Sequence, residues 1–303
     1  MKKIVFLLLI VIPVLTQAQI SSRRWKAYRY EMNFGMGFSN FLGDLGGANQ
    51  IGTHFAKDLD WSQTGVSIAA GLRYKLTQSF AIHPKITFGT VKGDDAETKE
   101  FFRNHRNLSF RSNVWEVSTN FEYFFLKEQT GHRYKLRGVR GQRGFELAGY
   151  LFAGIGLFHF NPKAEYEGKM YDLQPLGTEG QGLVPGRDFY KRVQVCIPMG
   201  VGFKYNFDRR WGIGFEYGLR YTFTDYIDDV SKTYYDRDAL ASYRGDISAA
   251  LSDRSTADYT NNNPEVNNAG QQRGDPSHRD AYMFGTVSIT YKIRTGRVSY
   301  PTF

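Results

Sequence analysis

Four of the six histidines are candidates for hydrolytic chemistry: His54, His105, His159 and His278. A serine nucleophile needs an imidazole base, and that base needs a third group to orient it. Ser277 beside His278 is the nearest approach to such a pair, and no histidine has a convincing base-and-orienter spacing. These histidines fall in polar stretches or near strand ends, where a solvated imidazole is expected. Asp225, Asp228 and Asp229, with Asp236 and Asp238, form an acidic run whose hard oxygens suit calcium. The run lacks the glycine turn and ligand spacing of a calcium loop, so a solvated acidic loop is expected. Gly35-x-Gly37 and Gly212-x-Gly214 lack the following helix that a phosphate cradle requires. The one cysteine, Cys196, excludes an intrachain disulfide and a zinc–thiolate site. The residues thus point away from an enzyme, and they call for no cofactor.

The elements around these residues have period two. Tyr30, Met32, Phe34, Met36 and Phe38 share one face of a strand, and Glu31, Asn33, Gly35, Gly37 and Ser39 share the other. Seven more segments read the same way, near 63–76, 80–88, 115–125, 146–158, 192–205, 211–223 and 283–293. The segment 146–158 is apolar on both faces, so its phase is the hardest to assign. Soluble strands average about 5–6 residues and a tilted membrane strand needs about 9–11, so segments of roughly 11–15 favour a membrane barrel. Aromatics gather toward strand ends, at Tyr30, Phe38, Tyr74, Phe80, Trp115, Phe125, Tyr205 and Trp211, as in an interfacial girdle. The polar face is mostly Gly, Ser, Thr and Asn, which suits a narrow lumen and not the outside of a soluble sandwich.

The start of the chain is an address. Lys2 and Lys3 precede the apolar run Ile4–Leu15, and Thr16-Gln17-Ala18 offers a cleavage site before Gln19. Residues 1–18 therefore read as a Sec signal peptide and 19–303 as an outer-membrane β-barrel domain. Export makes nucleic acid an improbable partner despite the formal charge of +9, which falls to +7 once Lys2 and Lys3 are removed.

The expected fold is all-β: an eight-stranded antiparallel transmembrane β-barrel with long extracellular loops and a filled lumen. Eight strands leave just enough room for the barrel's own side chains. The inward set is Glu31, Arg73, Lys75, Lys85, Glu116, Glu122, Arg192, Lys204, Glu216, Arg220 and Lys292. Buried charges must pair, so a salt-bridged plug is expected. Tight turns at Gln78-Ser79 and Asn206–Arg210 mark the periplasmic side, and the long outer loop 225–280 lies opposite. The extended periplasmic turn 127–144 is the exception to that rule.

Four long strings then resemble the PorG-like outer-membrane β-barrel family of Bacteroidota. They are Asn40–Gly47 (NFLGDLGG), Phe152–Ala164 (FAGIGLFHFNPKA), Leu173–Gly182 (LQPLGTEGQG) and Arg220–Ser231 (RYTFTDYIDDVS). The resemblance covers essentially the whole mature chain in order. It implies a structural component of the type IX protein secretion system, associated with a periplasmic ring built from a lipoprotein and a partner subunit. It brings no catalytic residue and no cofactor, and it does not identify ring-binding residues. Besides outer-membrane lipids, those secretion-ring proteins are the expected partners. The alternative is a free-standing barrel that binds ligands or surfaces through its outer loops.

Charge divides by compartment. Periplasmic segments 21–29, 127–145, 206–210 and 293–303 together carry +12, and outer loops 43–60, 92–112, 161–189 and 225–280 carry −8. The periplasmic turn concentrates Lys127, Arg133, Lys135, Arg137, Arg140 and Arg143, which suit docking of an acidic partner.

Overall fold

The computed structural model describes residues 23–45, 63–98, 101–128, 147–208, 210–255 and 267–295. The signal peptide, His54 and the basic residues Arg133, Lys135, Arg137, Arg140 and Arg143 lie outside these residues.

The described strands are β1 (Tyr30–Leu42), β2 (Gly65–Lys75), β3 (Phe80–Asp94), β4 (Ser109–Leu126), β5 (Leu147–His159), β6 (Pro162–Tyr166), β7 (Lys169–Asp172), β8 (Val193–Asn206), β9 (Trp211–Thr222) and β10 (Ala281–Ile293). All eight barrel strands, which exclude β6 and β7, pair antiparallel with their neighbours. The first strand meets the last from Tyr30↔Ile293 to Leu42↔Ala281. The barrel is therefore closed, and closure removes the sheet edges that hydrocarbon cannot satisfy. The short β6–β7 hairpin extends β4 at Arg111↔Lys163 and Ser112↔Pro162.

The barrel is inside out relative to a soluble protein. Val66 is 72% exposed, and Met36 and Ile155 are each 65% exposed, while Glu31, Glu116 and Glu122 are fully buried. Strict alternation produces this arrangement, because successive side chains of a strand point to opposite faces. The segment with two apolar faces resolves the same way. Leu151, Ile155 and Leu157 point outward, and Tyr150, Phe152 and Phe158 fill the lumen. Aromatic pairs mark both rims: Tyr30–Tyr74 and Trp211–Tyr291 at one end, Phe88–Trp115 and Tyr221–Phe223 toward the other.

The end with the tight turns, called the base here, closes with few residues. Leu76 N donates to Phe80 O at 2.9 Å, and Asp208 N donates to Trp211 O at 3.2 Å. The opposite end is a packed cap and not a set of plain loops. β3 and β4 run to Asp94 and from Ser109, well into the stretch read as the 92–112 loop. Their upper residues Val91, Phe110 and Val114 are buried in a cap core with Phe160, Ile227 and Leu251. Among its described residues the 225–280 connection contains two helices, Arg237–Arg244 and Asp246–Ser252. Asp236 caps the first of them, accepting from Ala239 N at 2.8 Å. The sequence hides these helices because each has eight residues or fewer and buries only a few of them, among them Leu240 and Leu251.

Candidate functional site

The lumen is a ladder of carboxylates and cations. At the base, Glu31 accepts from Lys204 Nζ at 2.5 Å and from Arg73. Arg73 Nε and Nη2 reach Glu122 at 2.5 and 3.0 Å, and Nη2 donates to the Tyr150 hydroxyl at 2.9 Å. His83 Nδ1 lies 2.8 Å from Glu122, and its Nε2 lies 3.1 Å from Asn33 Oδ1. In the middle, Glu216 accepts from Lys85 and from the Tyr150 hydroxyl at 3.1 Å. Toward the cap, Glu116 accepts from Arg220 Nε at 3.1 Å and from the Tyr282 hydroxyl at 3.0 Å. The aromatics complete the packing, since Arg73 stacks over Tyr150, Lys85 over Phe152 and Arg220 over Phe284.

Two residues depart from the places that strand parity and turn position assign them. Arg192 is not in this ladder. It lies just before β8, half-buried at the cap rim, and donates to Asn161 Oδ1 at 3.2 Å. Glu128 joins the ladder although its place in the 127–144 turn assigned it to the base surface. Its carboxylate accepts from Lys75 at 2.8 Å, from Lys292 at 2.9 Å and from Asn206 at 2.7 Å, with Lys204 at 3.3 Å. A bulge between Phe124 and Leu126 re-aims the end of β4 just before this residue. Lys127, the one described member of the proposed docking set, is half-buried beside it.

Five carboxylates thus face six Lys and Arg cations in a closed bore. A gap lined by Asn33, Gly35, Lys85, Glu216, Thr286 and Ser288 has a volume of only about 10 Å³. That is room for about one water. Donor atoms of His83, Glu122 and Glu216 lie within 4.8 Å of one another, a spacing that suits a metal. Arg73 and Lys85 already occupy those two carboxylates, so the charge there is balanced without one.

The cap contradicts the solvated acidic loop for Asp228 and Asp229, while Asp236 and Asp238 are exposed as expected. Asp228 and Asp229 are fully buried. Asp229 accepts from the Thr178 hydroxyl at 2.5 Å and the Tyr190 hydroxyl at 2.7 Å. Burial outweighs these bonds and the nearby Arg273, and lifts the Asp229 carboxyl to about 6. Glu179 accepts from Ser231 N at 2.9 Å and pairs with Arg273 at 3.1 Å. Arg106 clamps Asp95 at 2.7 and 3.0 Å. Burial raises the Asp95 carboxyl even so. Chain collapse around the apolar cap core took these acids out of water, and charge patterning alone does not report that.

The described candidate histidines, His105, His159 and His278, do not assemble a relay. His105 lies in the helix Phe101–Arg106 and donates through Nδ1 to Phe101 O at 2.6 Å. His159 points outward opposite Trp115. His278 Nδ1 lies 2.8 Å from Asp275 Oδ2 and 3.1 Å from Ser277 Oγ, so base and orienter compete for one ring nitrogen. A triad needs opposite nitrogens. Hydrogen bonds from Ser277 and His278 hold the exposed Asp275 carboxyl down at about 2.

Several solved outer-membrane proteins have similar folds. Neisserial surface protein A is 8% identical, with 87% of this chain and 97% of that chain covered at a TM-score of 0.40. The attachment invasion locus protein Ail of Yersinia pestis, in complex with the heparin analogue sucrose octasulfate, is 9% identical over 87% and 97% at 0.37. The N-terminal β-barrel domain of Pseudomonas aeruginosa OprF is 10% identical over 88% and 98% at 0.34. No curated protein matches the sequence. A family model described as "Domain of unknown function (DUF6089)" matches residues 2–244, and the chain belongs to that family.

Proposed function

We propose that this protein is a non-enzymatic outer-membrane barrel that anchors a periplasmic assembly, as a structural component of the type IX secretion system. The observation that carries this reading is the sealed lumen. A bore filled by paired charges and aromatic rings conducts nothing, so function belongs to the two ends. The base is basic, and Glu128 moors the start of its long turn to three lumen lysines. A moored turn carrying Lys127, Arg133, Lys135, Arg137, Arg140 and Arg143 suits an acidic periplasmic partner, here the ring lipoprotein and its companion subunit. The four strings resembling the PorG-like family support the same role.

The packed cap favours a second reading, a free-standing barrel that binds ligands or surfaces from outside. A pull-down of the tagged barrel from crosslinked membranes separates the two. Recovery of ring proteins supports anchoring, and their absence supports the second reading. Charge reversal at Arg137, Arg140 and Arg143 then tests the docking surface. Undiminished co-purification in low salt sinks it.

A further inference from the structure

Four cap aspartates have no part in that reading: Asp44, Asp225, Asp228 and Asp280. Hydrogen bonds draw their three segments onto one spot. Leu45 N, beside Asp44, donates to Asp228 Oδ2 at 3.0 Å. Ile227 N, beside Asp228, donates to Asp280 Oδ2 at 2.7 Å. Asp280 N donates to Thr224 O, beside Asp225, at 3.1 Å. Asp228 and Asp280 are 0% and 1% exposed.

Two arginines of the cap, Arg106 and Arg273, are committed to other carboxylates. Arg106 clamps Asp95 and reaches Asp44 only through its backbone oxygen, at 2.7 Å. Arg273 pairs with Glu179 and donates to Asp229 O. Asp229 itself turns away toward Thr178 and Tyr190.

A separate observation points to a ligand. Asp280 Oδ1 and Asp225 Oδ2 are buried and receive no hydrogen bond. Asp280 Oδ1 is aimed at the turn that carries Asp44, because a Cβ placed on Gly43 comes within 2.2 Å of it. Glycine at 43 is what gives that oxygen its room. Buried carboxylates that lack a counter-charge and have an oxygen to spare need either a cation or a proton.

We propose that Asp225, Asp228 and Asp280, with Asp44, form a calcium site that ties the three cap segments together. Calcium fits because it accepts irregular oxygen sets and carbonyl or water ligands beside carboxylates. The site differs from the acidic run visible in sequence, since it omits Asp229, Asp236 and Asp238 and recruits Asp44 and Asp280. Burial, with repulsion from neighbouring carboxylates, pushes all four carboxyls upward, Asp225 to about 8, so protons compete with the ion for the same oxygens.

Equilibrium dialysis of the full chain, folded in detergent, against radiolabelled calcium tests this. At mildly alkaline pH the wild type takes up a single ion per chain. Asp280→Asn and Asp225→Asn, which keep the side-chain shape, each lose about tenfold or more in affinity. Asp238→Asn, on the exposed face of a cap helix, retains it. Wild-type uptake no higher than that of a doubly substituted Asp228→Asn/Asp280→Asn chain overturns the proposal, as does equal loss in Asp238→Asn. Calcium-dependent protection of the wild-type cap from protease, reversed by a chelator, gives a readout that needs no variant to fold, and identical digestion with and without calcium also overturns it.

Discussion

Both carboxylate oxygens of Glu128 accept from Lys292 Nζ at 2.9 Å, so the first residues after β4 are tied to the last strand. The contact spans most of the chain and closes the base of the lumen. It also explains how three lysines, Lys75, Lys204 and Lys292, lie together at one level without repelling the barrel apart.

Replacing Glu128 by Ala leaves those lysines facing one another. Breaking a fully buried pair costs about 3–5 kcal/mol, and the partial exposure of Glu128 lowers that to about 1–3 kcal/mol. Urea unfolding in vesicles measures the loss. Faster protease cleavage within 127–144 is expected alongside it, and an unchanged midpoint contradicts the mooring role.

Gly202 tests the packing of the bore. A Cβ there meets the Tyr150 ring at 2.2 Å. Gly202→Ala is expected to destabilise by about 1–3 kcal/mol through overpacking. Tyr150→Phe, which removes the hydroxyl shared by Arg73 and Glu216, is expected to cost about 1–2 kcal/mol. The same unfolding assay ranks the two, and a stabilising Gly202→Ala contradicts the tight fit.

The cap should weaken as pH rises when calcium is withheld. Asp225 and Asp229 are raised by burial to about 8 and about 6, and Asp228 and Asp280 lie well above the usual carboxyl range. A raised carboxyl binds its proton more tightly in the folded cap. Its contribution is complete below the unfolded value of about 4 and is lost as pH climbs through the folded value. Hydrogen exchange of the 225–231 amides, corrected for intrinsic rate, should therefore show protection falling between about pH 4 and 8. Constant protection across that window argues against the buried acids.

The outer belt carries its own test. Ile155 is 65% exposed at mid-strand. Ile155→Arg is expected to cost about 2–4 kcal/mol in a bilayer. An exposed position on a water-facing sheet tolerates the same change. Folding yield into vesicles distinguishes the two, and an undiminished yield argues that this face does not meet lipid.

The eight barrel strands were legible because alternation is a local property of extended backbone. Met32, Phe34 and Met36 face outward, and Glu31 faces inward, whatever the rest of the chain does. β5 was ambiguous for a local reason too, since Tyr150, Phe152 and Phe158 are apolar yet line the bore. The candidate site was less legible. The inward charges were named by parity, apart from Arg192, which lies beyond the end of its strand, and Glu128, which enters from a turn.

By itself, then, the sequence determined the strands, the inside-out faces and the set of charges that must find partners in a closed bore, because two-residue periodicity and the cost of bare charge act within a few residues. Only the tertiary structure decided who those partners are. Lys204 and Glu31 lie 173 residues apart and meet at 2.5 Å because barrel register brings β8 and β1 across the lumen. The cap obeys the same reason. Asp44, Asp228 and Asp280 share a spot because the ends of β1, β9 and β10 arrive at one rim, where apolar collapse excludes the water that their composition leads one to expect.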